Sequence, residues 1–473
     1  MENNQNSAFR PSLSLLDATM IVAGSMIGSG VFLVSAEITR NLGSAGWLTL
    51  MWVLGGIVTI IAAVSYGELS GMFPKAGGQY VYLREAYNPF VAFLFGWTQF
   101  SVIQTGTIAA VAVAFAKFSS YIIPSFSEEN ILMDLGFLKV SAAQIVAIIS
   151  IVLLTWINTR GIRNGKIIQT VFTLAKLLSL FGLIIFGFLL GAKQEIWNAN
   201  WAHAWDAVSL TQNNGEVVTT LLSGLALFGA VAISMKGSLF SSDAWNNITF
   251  IAAEIKNPQK NIGRALFFGT LLVTIVYVSA NLMYLAVLPL HDIAFAAKDR
   301  VAVAAAQEIF GGVGSTIIAV MIMVSTFGCN NGLILSGARI YSTMAEDGLF
   351  FKKAAKLNAF NVPANGLWIQ CVWASLLCLS GKYNDLLVLV IFGVLIFYVL
   401  TILGIFILRK KRPEAPRPYK AFGYPVLPLI YIVVATSLAL LLLVFESNYA
   451  LPGLGIILLG IPLYYIAVRT QTK

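Results

Sequence analysis

The chain has 473 residues, 58% of them apolar and only 11% charged, with 40 glycines besides and a net charge of +9. Soluble globular proteins carry about 25% charged residues and their cores stop growing at about 250–300 residues, so most of this chain has lipid as its solvent. That excludes an ordinary cytosolic enzyme, a disordered chain and a secreted disulfide scaffold; the three cysteines, Cys329, Cys371 and Cys378, lie in apolar runs without metal-ligand spacing.

The first dozen residues (MENNQNSAFRPS) are polar and show no cleavable signal peptide, so insertion is expected to rely on the first span. Apolar stretches of about 18–25 residues suit membrane-crossing helices, and about twelve are found. They start near Leu15, Trp47, Phe90, Ser141, Ile167, Val217, Arg264, Gly312, Gly366, Asp385, Pro425 and Leu451. The alternation expected of a membrane barrel is absent. An even number of spans puts both termini on one side. With that side cytoplasmic, the inner loops collect Lys75 and Arg84, Arg160, Arg163 and Lys166, Lys256, Lys260 and Arg264, Lys352, Lys353 and Lys356, and the run RKKRPEAPRPYK at 409–420. This satisfies the positive-inside rule, so the basic balance reads as orientation rather than nucleic-acid binding. The expected location is a cell membrane, multi-pass, with both termini cytoplasmic.

Span 1 carries Gly24, Ser25, Met26, Ile27, Gly28, Ser29 and Gly30 in its middle. Each glycine costs about 1 kcal/mol of helix stability relative to alanine, so the helix is weak there, although small residues also serve close helix packing. In span 3, Gln104 is polar at depth and Lys117 lies near the outer end. Lys176 lies about ten residues into span 5, about 15 Å deep at 1.5 Å per residue; it can hardly snorkel to an interface and needs a partner. His203 and His291 fall in outer loops with no metal-ligand set around them.

Span 6 reads Gly237 to Asn247 as GSLFSSDAWNN, polar where hydrocarbon is expected; Lys236, like Lys117 near an outer helix end, reads as a snorkelling side chain or a vestibule contact. Asp243 facing lipid would cost at least about 2.5–3.5 kcal/mol, so the stretch is expected to be buried in protein or to line a wet cavity. Asp243 is read either as a titrating or cation-pairing group or, preferably, as a cap on the outgoing half-helix. Residues 301–310 read as an interfacial helix before span 8, where Asn331 is polar at depth. Trp and Tyr near span ends read as belt residues.

Spans 1 and 6 are the first members of two five-helix halves, and paired interrupted helices point to a transporter site between inverted repeats. The expected fold is an all-α membrane protein with a 5+5 inverted repeat at about 15–191 and 217–409, followed by two helices over about 425–468. Free N–H groups at the start of each outgoing half-helix suit a carboxylate, and free carbonyls at the end of the preceding half suit an ammonium. An amino acid is the ligand that offers both charges.

At these residues the sequence resembles the amino acid–polyamine–organocation superfamily of LeuT-type fold, most closely its L-amino-acid transporter branch and bacterial exchangers. The resemblance is carried by GSMIGSGVF at 24–32, YGELSGMFPKAGGQYVYLREAY at 66–87, LFSSDAWNNITFIAAEIKNPQKN at 239–261 and FGCNNG at 327–332, and extended by ARIYSTMAEDG at 338–348 and LRKKRPEAPRPYK at 408–420. It implies a substrate stretch of Met26, Ile27, Gly28, Ser29 and Gly30 in span 1, with Ser29 and Gly30 holding the carboxylate. In span 6 it implies Phe240, Ser241, Ser242 and Asp243. Backbone carbonyls of Met26, Phe240 and Asp243 would face the amino group, and Phe240 would close over the substrate. Lys176 resembles a built-in substitute for a sodium ion, tethering span 5 to spans 1 and 8. Gln104 and Asn331 are weaker pocket-lining candidates.

The chain departs from these relatives at Ser242 and Ala244, where they often carry Tyr and Gly. The loop at 124–138 lacks the cysteine that bonds a glycoprotein heavy chain, so no such partner is expected; a monomer or weak homo-oligomer is. The implied activity is sodium-independent exchange of neutral, possibly small, L-amino acids by alternating access, with proton-coupled uptake as the rival. No nucleophile–base set, cofactor site or metal cluster is found, so neither catalysis nor a cofactor is expected, and a channel would lack the paired breaks.

Overall fold

The computed structural model describes residues 11–471 except 135, 137, 138, 214, 215, 381 and 382. The polar residues 1–10 and the side chains of Arg163 and Lys166 lie outside the described set. Among the described residues, ten helices are long and apolar enough to cross a membrane, and the pair Leu15–Met26 and Gly30–Asn41, bent by 43°, makes an eleventh span. The shorter apolar helix Ala364–Leu379 occupies the place of span 9. Numbered in chain order, span 1 is the bent pair, followed by Ala45–Met72, Pro89–Ile122, Ala142–Thr159 and Val171–Gly191 as spans 2 to 5. Gly224–Ser241, Pro258–Val287 and Val301–Glu346 are spans 6 to 8; Asp385–Lys411, Val426–Phe445 and Ser447–Arg469 are spans 10 to 12.

Local chemistry sets the boundaries. Ser14 and Asp17 form a reciprocal capping box at the start of span 1, and Ser141 with Gln144 does the same for span 4. Pro89 follows an Asn88 whose side chain caps Val91 N–H. Gly311, at φ 73°, separates the predicted interfacial helix at 301–310 from the membrane part of span 8. Span 6 differs from expectation at its start. Residues Glu216–Leu221, with β-branched Val217, Val218, Thr219 and Thr220 at their centre and exposed throughout, pair antiparallel with Val208–Asn213, and the helix begins only at Gly224. A second short hairpin, Ile131–Asp134 with Lys139–Ser141, precedes span 4.

Spans 2 and 7 run along each other, span 8 lies against spans 3 and 5, and the first half of span 1 packs on span 7. Small residues permit this closeness: a Cβ at Gly55 would press on Ser238 of span 6, and one at Gly56 would clash with Thr274 of span 7. Large apolar side chains are left exposed along the outer helices, Leu174, Leu178 and Ile185 on span 5 and Val433, Leu440 and Val444 on span 11. In a multi-span membrane protein those faces meet lipid.

Candidate functional site

Span 1 leaves the helix at residues 27–29. The last four carbonyls of a helix lack intrahelical partners, and after Ile27 N–H takes Ala23 O these are the carbonyls of residues 24–27. All four are answered by side chains from other spans. Lys176 Nζ of span 5 donates to Gly24 O and, at 2.8 Å, to Ile27 O. Cys329 Sγ of span 8 donates to Ser25 O at 3.2 Å, and Tyr277 Oη of span 7 to Met26 O at 3.0 Å. Lys176 is 0% exposed. It joins span 5 to span 1 as expected, but span 8 reaches the break through Cys329 rather than through the lysine. On the outgoing side, the N–H groups of Gly28, Ser29 and Gly30 meet no backbone acceptor among the described residues.

Span 6 remains helical further than its sequence suggests. Ser241 Oγ donates to Gly237 O at 2.8 Å and Ser238 Oγ to Met235 O at 3.2 Å, so these hydroxyls are satisfied inside the helix. The break occupies residues 242–246, and the helix resumes as the single turn Asn247–Phe250. Ser242 N–H returns to the carbonyls of Ser238 and Leu239, and Asp243 N–H to Phe240 O at 3.2 Å. Asp243 does not cap the outgoing turn, whose N-cap is Asn246 without a side-chain bond. Its carboxylate instead accepts from Tyr398 Oη of span 10 at 2.7 Å. Tyr277 Oη also lies 3.1 Å from Ser241 O, so one hydroxyl joins both breaks.

Between the breaks lies a cavity of about 20 Å³, lined by Met26, Gly28, Ser29, Gly30, Phe240 and Asp243 among others. That is room for about one water, and Ile27 and Ser242 do not line it. The two helices touch beside it: a Cβ at Gly30 would clash with the Ser241 side chain. Phe240 packs edge-on against Tyr383 at 6.1 Å, and Tyr383 Oη lies 2.9 Å from Ser29 Oγ. Beyond this aromatic pair, ion pairs tie the helix ends. Lys236, 2% exposed, meets Glu37 at 2.9 Å and Glu446 at 3.2 Å, so it is a buried bridge rather than a snorkelling cation. Lys117 and Arg40 both meet Asp299; burial alone would raise this carboxyl, but the two cations hold it below its ordinary value.

The opposite face is open. A cavity of about 240 Å³ runs between the first half of span 1, spans 5 and 8 and the segment after span 6, and a wider one of about 1030 Å³ lies beside it. Ser25 lines both the small central cavity and the 240 Å³ one, so little separates the breaks from this vestibule. The buried Arg339–Glu254 pair, 2.9 Å, crosses its wall from span 8 to the segment after span 6.

Of the weaker candidates, Gln104 donates to Leu333 O at 2.7 Å and lines a polar recess beside Asp243. Asn331 accepts from Asn158 Nδ2 of span 4 at 2.8 Å, an interhelical bond. His203 and His291 pair with exposed Asp206 and Asp292, and no group able to hold a metal occurs among the described residues. Sequence reasoning missed Tyr277, Tyr383, Tyr398 and Cys329. The available signal was a tyrosine within or next to an apolar span, whose hydroxyl needs a partner when buried.

The amino acid permease family profile matches residues 13–465. The large neutral amino acids transporter small subunit 2 of Mus musculus is 30% identical, covering 98% of this chain and 82% of its own length. The serine/threonine exchanger SteT of Bacillus subtilis is 29% identical over 98% of each chain. The Asc-type amino acid transporter 1 of Mus musculus is 27% identical, covering 99% of this chain and 83% of its own. The chain belongs to the amino acid permease family.

Proposed function

We propose that the protein exchanges neutral L-amino acids across a cell membrane by alternating access, without sodium. The observation that carries this is the asymmetry of the span 1 break. Its carbonyls are already met by Lys176, Cys329 and Tyr277, while the N–H groups of Gly28, Ser29 and Gly30 are open to a carboxylate. An ammonium built into the fold stands where a mobile cation would otherwise be needed. A carbonyl oxygen has a second lone pair, so Met26 O and Phe240 O can still receive a substrate ammonium. The small central cavity and the outer ion pairs describe an inward-facing state with the site collapsed, and Phe240 is the group that moves to admit substrate.

On this reading residues 15–191 and 217–409 are the two inverted repeats, and both termini are cytoplasmic because the basic loops lie on the vestibule side. All three cysteines are buried, which supports a chain without a disulfide-linked partner. The names of the relatives, a neutral amino acid transporter and an exchanger, support a transporter rather than an enzyme. The test is efflux from proteoliposomes preloaded with labelled amino acid. Efflux that requires external amino acid is expected; uptake into empty vesicles driven by a pH gradient would establish proton coupling instead.

A further inference from the structure

The first half of span 6, Gly224–Ser241, and the second half of span 1, Gly30–Asn41, pack on each other. Two glycines allow the close approach: a Cβ at Gly30 would clash with Ser241, and one at Gly237 with Val34. Farther from the breaks, Lys236 Nζ meets Glu37 Oε1 at 2.9 Å, a bond within the same pair of half-helices. In contact at three levels and joined by an ion pair, the two halves form one unit.

That unit is fastened to the rest of the protein at the end away from the vestibule. Arg40 reaches Asp299, which also holds Lys117 of span 3. Lys236 meets a second carboxylate, Glu446 Oε1, at 3.2 Å. Glu446 lies in the turn between spans 11 and 12, the two helices that follow the paired halves. Its neighbour Phe445 packs on Gly229, where a Cβ would come within 2.6 Å of the ring. Gly229 and Lys236 are two helical turns apart and share one face of span 6. Tyr449, one turn further along the chain, is hydrogen-bonded to Asp385 at the start of span 10, so the turn is itself anchored.

The charges show which of these contacts can release. Lys236 is 2% exposed, and leaving a buried charge bare is strongly unfavourable. With two carboxylates in reach it never has to be bare. If the unit tilts away from span 11, Lys236 keeps Glu37 and gives up Glu446, which is 20% exposed and returns to water. The Lys236–Glu446 bond can therefore break and reform at each opening, whereas the Lys236–Glu37 bond travels with the unit. We propose that Glu446 is a positioning residue: through Lys236 it holds spans 1 and 6 closed at this end, so that the turn between spans 11 and 12 sets how often the central site opens there. The proposal rests on alternating access at the central site, and not on which amino acid is exchanged.

Span 3 supplies a reporter. Val111 lines the central cavity, and Phe118, two turns on, packs edge-on against Phe32 of span 1 at 6.5 Å. Ala114 lies between them on the same face and is 0% exposed. A thiol at this position is reached only when spans 1 and 6 move off span 3. The test is the rate of maleimide labelling of Ala114→Cys in the purified full chain in lipid nanodiscs, with each labelled cysteine identified by peptide mass. Adding Glu446→Gln, which leaves Lys236 paired with Glu37, should speed labelling about three- to tenfold, because labelling follows the population of the open state. Glu446→Asp, which keeps the charge, should restore most of the slow rate. Equal rates with glutamate and glutamine at 446 overturn the proposal. A matching rise at Cys378, buried in span 9 against span 3, overturns it too, since that marks loosening of the whole protein. If the proposal fails while the wild-type protein still exchanges amino acids in proteoliposomes, alternating access stands; absence of any exchange overturns both readings.

Discussion

In span 1 the chain leaves the helix for residues 27–29, and each carbonyl it frees is met by a side chain from span 5, 7 or 8. In span 6 it leaves for residues 242–246, and much of that break is closed by its own backbone, with Asp243 held by Tyr398 and Asn246 by Gln79. The first break is an opening kept in shape from outside by a buried cation. The second is a folded turn with polar side chains of its own. At the span 1 break the freed carbonyls are met from neighbouring helices, whereas in span 6 the backbone turns back on itself and the Asp243 carboxylate accepts from the Ala244 N–H. Tyr277, bonded to both, makes the two breaks one unit.

Lys176→Ala should break this contrast most severely. It removes two charge-assisted bonds and leaves buried carbonyls unpaired, each at about 1–3 kcal/mol. Exchange should fall at least about tenfold at equal membrane abundance, and unchanged flux at normal expression would remove the tether from the account. Gly30→Ala comes next. Overpacking costs about 1–3 kcal/mol, so exchange should drop about tenfold and recover in part when Ser241→Gly is added, with rescue read as transport of the double variant against each single one.

Tyr277→Phe uncouples the breaks by deleting one hydroxyl. A loss of about 1 kcal/mol is expected, seen as about fivefold slower exchange. Asp243→Asn should matter least, within about threefold, because an amide oxygen still accepts from Tyr398; a total loss would make its charge essential and favour the proton-coupled rival.

Much of this arrangement was legible in the residues. Gly24 to Gly30 marked the first break within a residue or two, Lys176 announced a buried partner by depth alone, and Gly311 ended the interfacial helix where the pattern placed it. What was not legible depends on registers between helices. That Ser238 and Ser241 stay helical follows from back-bonding to their own turn, which composition cannot distinguish from an interruption. Asp243 was assigned to a cap because Asp suits caps, yet span 10 brings Tyr398 within 2.7 Å and takes the carboxylate. Lys236 was read as snorkelling because Glu37 and Glu446, distant in sequence, could not be seen beside it. The hairpin at Val208–Asn213 and Glu216–Leu221 was hidden inside an apolar run long enough to pass for the start of span 6.

The central claim is that Lys176 fills the place of a mobile cation at the span 1 break. Its most direct test is the rate of serine homoexchange by the wild-type protein in proteoliposomes with choline replacing sodium on both sides. The account predicts the same rate in both salts, and a rate that collapses without sodium would contradict it.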